Sequence, residues 1–280
     1  MGILNLTTDS FFDGGKYLKK DNTFDQLKVF NAVEKMIKDG ADIIDIGAHS
    51  TKPGFVKISP QEELDRLGII FEKLKDYPTL FSIDSFNYEV IKEAISNKID
   101  LINNVFSFED TRSFDLVCSE NLPICVCHQG NPEKDENIFS QIESFFLKIE
   151  TKFKKKNFNV ENIIFDPGFG YGKTPFQNLK ILANLEKLKK NRILLVGLSQ
   201  KKFLRLLFES KTNHLNDQSL SAGIIACLGG ANILRVHRVK ETVNLLKNLW
   251  FLLIFVQLKH WRKNKKHVYI EFMSHRAPPN

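Results

Sequence analysis

Six polar residues in this chain stand at or directly after the ends of short apolar runs. Asp84 follows the run 79–83, Asn103 follows 99–102 and Asp166 closes 163–165. Lys201 comes soon after 193–197, and Arg235 and His237 follow 231–234. Two carboxylates and an amide could ligate a metal ion. The same set could read the edge of a flat heterocycle, because carboxylates accept from ring N–H and amino groups while an amide both donates and accepts. Lys201, Arg235 and His237 suit a phosphate-bearing substrate, Arg as a fork and Lys as a point charge. The alternative for the cations is structural, with Arg and Lys pairing to Asp84 and Asp166 as buried ions.

The densest of these stretches is 163–174, Ile-Ile-Phe-Asp-Pro-Gly-Phe-Gly-Tyr-Gly-Lys-Thr. A β-branched and aromatic run reads as a buried strand that delivers Asp166 at its C-terminal end. Three glycines within five residues let the backbone turn sharply and approach a ligand closely. Pro175 then suits the first turn of a helix. The Gly-Lys-Thr at 172–174 is not a phosphate-binding loop, since the first glycine of that motif is absent and position 167 is proline. Cys125 and Cys127 lie two apart on one side of a strand, and no second Cys or His pair stands at zinc spacing. They read as buried core thiols.

The elements that must position these residues alternate regularly. Strands are predicted at 1–5, 41–47, 79–83, 99–102, 122–127, 163–166, 193–197 and 231–234. Helical spacing is predicted at 23–39, 60–75, 88–97, 113–119, 137–156, 175–190, 202–210, 219–227 and from 239 onward. Near-continuous apolar strands joined by helices imply a parallel sheet. Eight such units in this length predict an α/β fold, a single-domain (β/α)8 TIM barrel over 1–250, with an atypical C-terminal tail at 251–280. In a barrel all the strand ends converge on one face, where the active site forms.

Composition narrows the class. A chain of 280 residues with 42% hydrophobic and 26% charged residues is ordinary for a soluble globular protein. The net charge of +7 is spread along helical stretches, so an anionic small substrate fits it as well as nucleic acid does, and no nucleic-acid partner is expected. Four cysteines do not make a disulfide framework, so a reducing, cytoplasmic compartment is expected. The start carries no signal peptide, and the longest apolar run, 249–256, is too short to span a bilayer, so no membrane role is expected.

Seven segments, in order, resemble dihydropteroate synthase. They are Met-Gly-Ile-Leu-Asn-Leu-Thr-Thr-Asp-Ser-Phe-Phe-Asp-Gly-Gly at 1–15, Gly-Ala-Asp-Ile-Ile-Asp-Ile-Gly at 40–47 with Ser-Thr-Lys-Pro-Gly at 50–54, and Ser-Ile-Asp-Ser at 82–85. Ile-Asn at 102–103, the stretch 166–174, Val-Gly-Leu-Ser-Gln-Lys at 196–201 and Arg-Val-His at 235–237 complete the series. The resemblance covers about residues 1 to 248. It implies a transferase that joins 6-hydroxymethyl-7,8-dihydropterin diphosphate to p-aminobenzoate, releasing diphosphate, in folate synthesis. It also implies a homodimer and a target of sulfonamides.

Carried over by position, the resemblance makes Asp84, Asp166 and Lys201 catalytic. It gives the pterin to Asp84, Asn103, Asp166 and Lys201. It gives the diphosphate to Lys52, Arg235 and His237, and p-aminobenzoate to Thr51, Phe169, Ser199 and Lys201. Asn5 would ligate Mg2+ together with the diphosphate. The chain departs from the family's usual residues at Thr8, His49, Lys52, Asn104, Tyr171, Gln200 and Arg238. Lys52 keeps a charge but loses the guanidinium fork. Two other classes compete with this reading. A pterin-binding methyltransferase shares only the Asp, Asn, Asp set and has no diphosphate to hold. A paralogue that binds pterin without turnover is motivated by the substitutions at 49, 52, 104 and 200.

Overall fold

The computed structural model describes residues 1–7, 15, 17–19, 24–49, 58–130, 137–207 and 215–263, with side chains described as far as residue 252. Eight strands form one curled sheet, each parallel to the next and in chain order. They are β1 (Gly2–Asn5), β2 (Ile43–Gly47), β3 (Leu80–Asp84), β4 (Leu101–Asn104), β5 (Ile124–Cys127), β6 (Ile163–Asp166), β7 (Ile193–Val196) and β8 (Ile233–Leu234). Just past β8 the chain returns to the first strand. Ile3 N–H donates to the Val236 carbonyl, and Val236 N–H donates to the Met1 carbonyl, both at 3.0 Å.

Ten helices lie among the described residues: α1 (Gln26–Lys38), α2 (Pro60–Phe71), α3 (Tyr88–Ser96), α4 (Thr111–Glu120), α5 (Ile138–Lys154), α6 (Pro175–Ala183), α7 (Glu186–Lys189), α8 (Lys202–Leu207), α9 (Leu215–Leu228) and α10 (Val239–Lys263). Local chemistry starts several of them. The Asp25 carboxylate accepts from the N–H groups of Leu27 and Lys28, and Ser59 caps α2 ahead of Pro60. Thr174 and Gln177 form a reciprocal capping box around Pro175.

The strand expectations hold in number, order and direction. The helix at 60–75 ends instead at Phe71 and is followed by a 3₁₀ turn, Leu74–Asp76. The helix at 175–190 is two pieces, α6 and α7, broken at Asn184, whose backbone is not helical (φ −137°). The helix from 239 runs without interruption to Lys263, so no element boundary marks residue 250.

Alternation along the strands sorts side chains into two layers. The outward set, including Ile44, Ile46, Phe81, Ile83, Ile102, Ile124, Val126, Phe165, Leu194 and Val196, packs under the helices as the main core. Inside the curl a small apolar cluster of Leu101, Cys125, Ile164 and Leu195 is joined by Met1 and Ile233. Two residues further along the same strands, on the same face, come Asn103, Cys127, Asp166 and Arg235. The curl thus has an apolar floor, with the polar residues standing on it at the strands' C-terminal ends.

Candidate active site

Arg235 is the centre of the polar layer. Its Nε donates to Asp45 Oδ2 at 2.6 Å and one terminal nitrogen donates to Asp84 Oδ2 at 2.6 Å. Asn103 Nδ2 also donates to Asp45 Oδ2, at 3.1 Å. The structural pairing weighed for the cations therefore holds for Arg235 in this state. Its main partner, Asp45, is a residue that sequence reasoning missed. The signal was present: a carboxylate between Ile44 and Ile46, in a strand buried on both faces, needs a cation. Gly47 lets β2 and β3 come this close, since a Cβ there would lie 3.3 Å from Asp84 Cβ.

Burial pushes the Asp84 carboxyl up to about 7, against the opposing pull of Arg235. Burial also raises the Asp166 carboxyl, while its hydrogen bond from Gly168 N–H, at 2.7 Å, pulls the other way. The Lys201 ammonium is lowered by burial, with Asp166 counteracting. Burial works against the Arg235 cation too, but Asp45 and Asp84 hold its pKa above the ordinary value. Carboxylates and cations thus share one partly desolvated cup, where their interactions are stronger than in water.

The structure brings six of the expected residues to these strand ends: Asp84, Asn103, Asp166, Lys201, Arg235 and His237. Lys201 places its ammonium 4.4 Å from the centre of the Tyr171 ring, a cation–π contact across the glycine-rich turn. Ser199 Oγ and His237 Nδ1 are 2.9 Å apart, joining the turn after β7 to the end of β8. Phe169 is buried and lies parallel to Phe203, with ring centres 6.3 Å apart. Asn5 closes β1 beside Gly47 and is half-buried. Thr51, Lys52 and Thr8 lie outside the described residues.

The departures at other positions have local accounts. Asn104 is buried and its side-chain oxygen accepts from Phe106 N–H, so it acts as a turn residue. His49 packs edge-on against Phe86. Gln200 takes a left-handed backbone (φ 62°) and donates to Asn216 at 2.7 Å, tying the turn to α9.

The glycine-rich turn is built differently from what Gly-Lys-Thr suggests. Lys173 is buried, and its ammonium donates to the carbonyls of Gly168 (2.8 Å), His128 (3.0 Å) and Tyr171 (3.1 Å). Burial lowers it to about 8. Gly130 N–H donates to the Tyr171 carbonyl, which laces the turns after β5 and β6 together. A Cβ at Gly168 would fall 2.0 Å from the His128 oxygen, and one at Gly172 would fall 2.0 Å from the Gly130 oxygen. Both have positive φ. Cys125 and Cys127 are buried in the wall beneath, and burial raises both thiols well above the ordinary range. Their burial agrees with core thiols.

Comparison with known proteins fits this geometry. The family model described as pterin binding enzyme matches residues 1–237. The chain is 34% identical to the dihydropteroate synthase of Escherichia coli K12 over 256 residues, covering 88% of this chain and 89% of that one. A Yersinia pestis dihydropteroate synthase solved with a sulfonamide drug complex superposes with a TM-score of 0.80 at 32% identity, covering 87% and 90%. A Xanthomonas albilineans dihydropteroate synthase solved with 4-aminobenzoic acid gives 0.80 at 28%, covering 90% and 92%. The match runs through every strand that carries a polar residue into the cup, and the chain belongs to the pterin-binding enzyme family.

Proposed function

We propose that this protein catalyses the dihydropteroate synthase reaction, condensing 6-hydroxymethyl-7,8-dihydropterin diphosphate with p-aminobenzoate to give 7,8-dihydropteroate and diphosphate. The observation that carries the reading is the partly desolvated cup of carboxylates and cations. Asp84, Asn103, Asp166, Lys201, Arg235 and His237 all lie at or after the C-terminal ends of strands of one curled sheet, with Arg235 bonded to Asp84, in a chain 34% identical to a dihydropteroate synthase over most of its length.

The chemistry follows from the charges. The aryl amine nitrogen attacks the methylene carbon, the C–O bond to diphosphate breaks, and the amine loses a proton. Positive charge develops on the pterin as the diphosphate departs. Asp84 and Asp166 stabilise it, and Asn103 fixes the ring's edge. Lys201 lies between the pterin and p-aminobenzoate, in contact with Tyr171. Arg235 and His237 hold the leaving diphosphate, with Lys52. Thr51, Phe169 and Ser199 line the p-aminobenzoate side. No covalent intermediate on the protein is needed.

Mg2+ fits this donor set. The Asn5 amide oxygen, at the C-terminal end of β1, is a hard ligand of the kind Mg2+ takes. A cation bound through one protein oxygen and the substrate's phosphates matches the usual habit of Mg2+. When bound, it would neutralise charge on the departing diphosphate.

The curled sheet is read as a closed (β/α)8 barrel, supported by the two Ile3 and Val236 hydrogen bonds that join its ends. The barrel is assigned 1–250 and the tail 251–280 on sequence character, although α10 itself crosses residue 250. A homodimer is supported by exposed apolar side chains on two neighbouring helices, Ile225 and Leu228 of α9 and Trp250 and Phe251 of α10. No helix among the described residues is long and apolar enough to cross a membrane.

The test is diphosphate release from the pterin diphosphate with Mg2+, with and without p-aminobenzoate. Release that depends on p-aminobenzoate and yields dihydropteroate is expected, and Lys201→Ala should abolish it. Product formation untouched by Lys201→Ala would overturn the assignment.

A further inference from the structure

We propose that Asp45 is a positioning residue for the pterin end of the site, holding Arg235 and Asn103 in place while the substrate takes over Asp84 from the guanidinium. The inference rests on the functional reading above. It starts from a side chain that the reaction does not itself call for. Asp45 is wholly buried in the middle of β2, in register with Ile3 on one side and Ser82 on the other. Its Oδ2 accepts from both Arg235 Nε and Asn103 Nδ2. Its Oδ1 is buried with no partner among the described residues.

Two consequences follow from the shapes of the groups. A guanidinium prefers to grip one carboxylate with two parallel bonds. Here Asp45 occupies Nε, so Asp84 receives one bond from the fork rather than two. A carboxylate held by a single bond can exchange that bond for a ring N–H of the incoming pterin. Arg235 keeps its place through Asp45, and its remaining donors stay available to the anionic end of the substrate.

The second consequence concerns Asn103. An ionised carboxylate only accepts hydrogen bonds, so the Asn103 amide must turn its NH2 toward Asp45. Its oxygen is then presented to the ligand as an acceptor. Asp45 thereby selects which edge of the pterin Asn103 can read, without touching the pterin itself. An ion pair retained only for stability would show none of this selectivity, since buried pairs contribute little net stability.

Asp45→Asn tests the idea, because it keeps the shape and removes both the charge and the acceptor-only character. With the full chain, kcat and the two KM values are measured for wild type, Asp45→Asn, Asn103→Ala and the double variant. The KM for pterin diphosphate should rise about tenfold to a hundredfold in Asp45→Asn, as for loss of hydrogen bonds to a charged group. The KM for p-aminobenzoate should stay within about twofold. The double variant should lose less than the product of the two single losses. An unchanged pterin KM in an active protein, an equal rise in both KM values, or a fully multiplicative double loss would each overturn the inference.

If Asp45→Asn does not fold, wild type co-crystallised with the pterin diphosphate decides the matter. Arg235 Nε should remain on Asp45 while its bond to Asp84 opens. Arg235 leaving Asp45, or Asp84 staying paired, would overturn it. Wild type that neither binds the pterin nor releases diphosphate sinks the functional reading as well, a result distinct from all of these.

Discussion

Two cations, buried Lys173 and half-buried Arg235, hold this site together, and they are satisfied in opposite ways. On the side of the turns after β5 and β6, Lys173 donates to three neutral backbone carbonyls. On the side of β2, β3 and β8, Arg235 donates to two carboxylates. Backbone carbonyls cannot move away without unmaking the turn, so the Lys173 side is a fixed wall. A carboxylate side chain can change partners, so the Arg235 side can rearrange around a ligand. The glycines accentuate the contrast, since the Lys173 side has no room for a single extra carbon at Gly168 or Gly172. A site that must both shape a flat ring and release a charged group gains from having one rigid half and one exchangeable half.

The largest effect is expected where a buried charge loses its counterion. Arg235→Met leaves Asp45 and Asp84 without their cation, and stability should fall by about 3–5 kcal/mol. Denaturant midpoints would show it, together with loss of turnover. A variant as stable as wild type would mean that the two carboxylates are not balanced by Arg235 at all. Next comes Gly168→Ala. The new Cβ must push the His128 carbonyl aside at a residue with φ 72°, and the cost should be about 2–4 kcal/mol. Lys173→Met should cost less, about 1–3 kcal/mol. Two of its three acceptors have a second donor, since Gly168 O also accepts from Tyr171 N–H and Tyr171 O from Gly130 N–H. If Lys173→Met proved as damaging as Arg235→Met, the distinction between wall and exchangeable pair would fail.

How much of this was legible in the sequence differs between the two halves. The strand count, the parallel order and the placement of Asp84, Asn103, Asp166 and Arg235 follow from alternating apolar runs that end in polar residues. That signal is local and repeated. The partners were less legible. Asp45 and Arg235 are 190 residues apart, and no spacing rule joins them; only the oddness of a carboxylate inside an apolar strand hinted at a cation. Lys173 was visible, but its motif pointed to a phosphate loop that lacked its first glycine. That it turns inward to carbonyls depends on the close approach of the β5 turn, which is a tertiary fact. The helix at 175–190 broke at Asn184 for a similar reason, because periodicity continues across a break that the backbone makes.

The pH dependence is the effect that separates the halves most cleanly, because it has opposite signs on the two sides. The Asp84 carboxyl is raised by burial from 3.8 to about 7. Below about 7 it takes up a proton and stops accepting from the ring, so pterin affinity should weaken by up to about tenfold per pH unit. Stability moves the other way. A group whose folded pKa lies above its unfolded value contributes stability that is present below 3.8 and is lost as pH rises through about 7. The groups facing Asp84 are Arg235, Asp45, Glu63 and Lys201, and Asp84→Asn removes its contribution to both trends. Lys173 is the reverse case. Its folded pKa is depressed from 10.5 to about 8, so its contribution is present above 10.5 and lost as pH falls through about 8. Calorimetric pterin binding and denaturant titrations across both windows, in wild type, Asp84→Asn and Lys173→Met, should give an acid arm that shrinks in Asp84→Asn but not in Lys173→Met and an alkaline arm that shrinks in Lys173→Met but not in Asp84→Asn. An acid arm that survived Asp84→Asn would transfer that titration to Asp166, whose carboxyl burial also raises, and would move the exchangeable half of the site from β3 to β6.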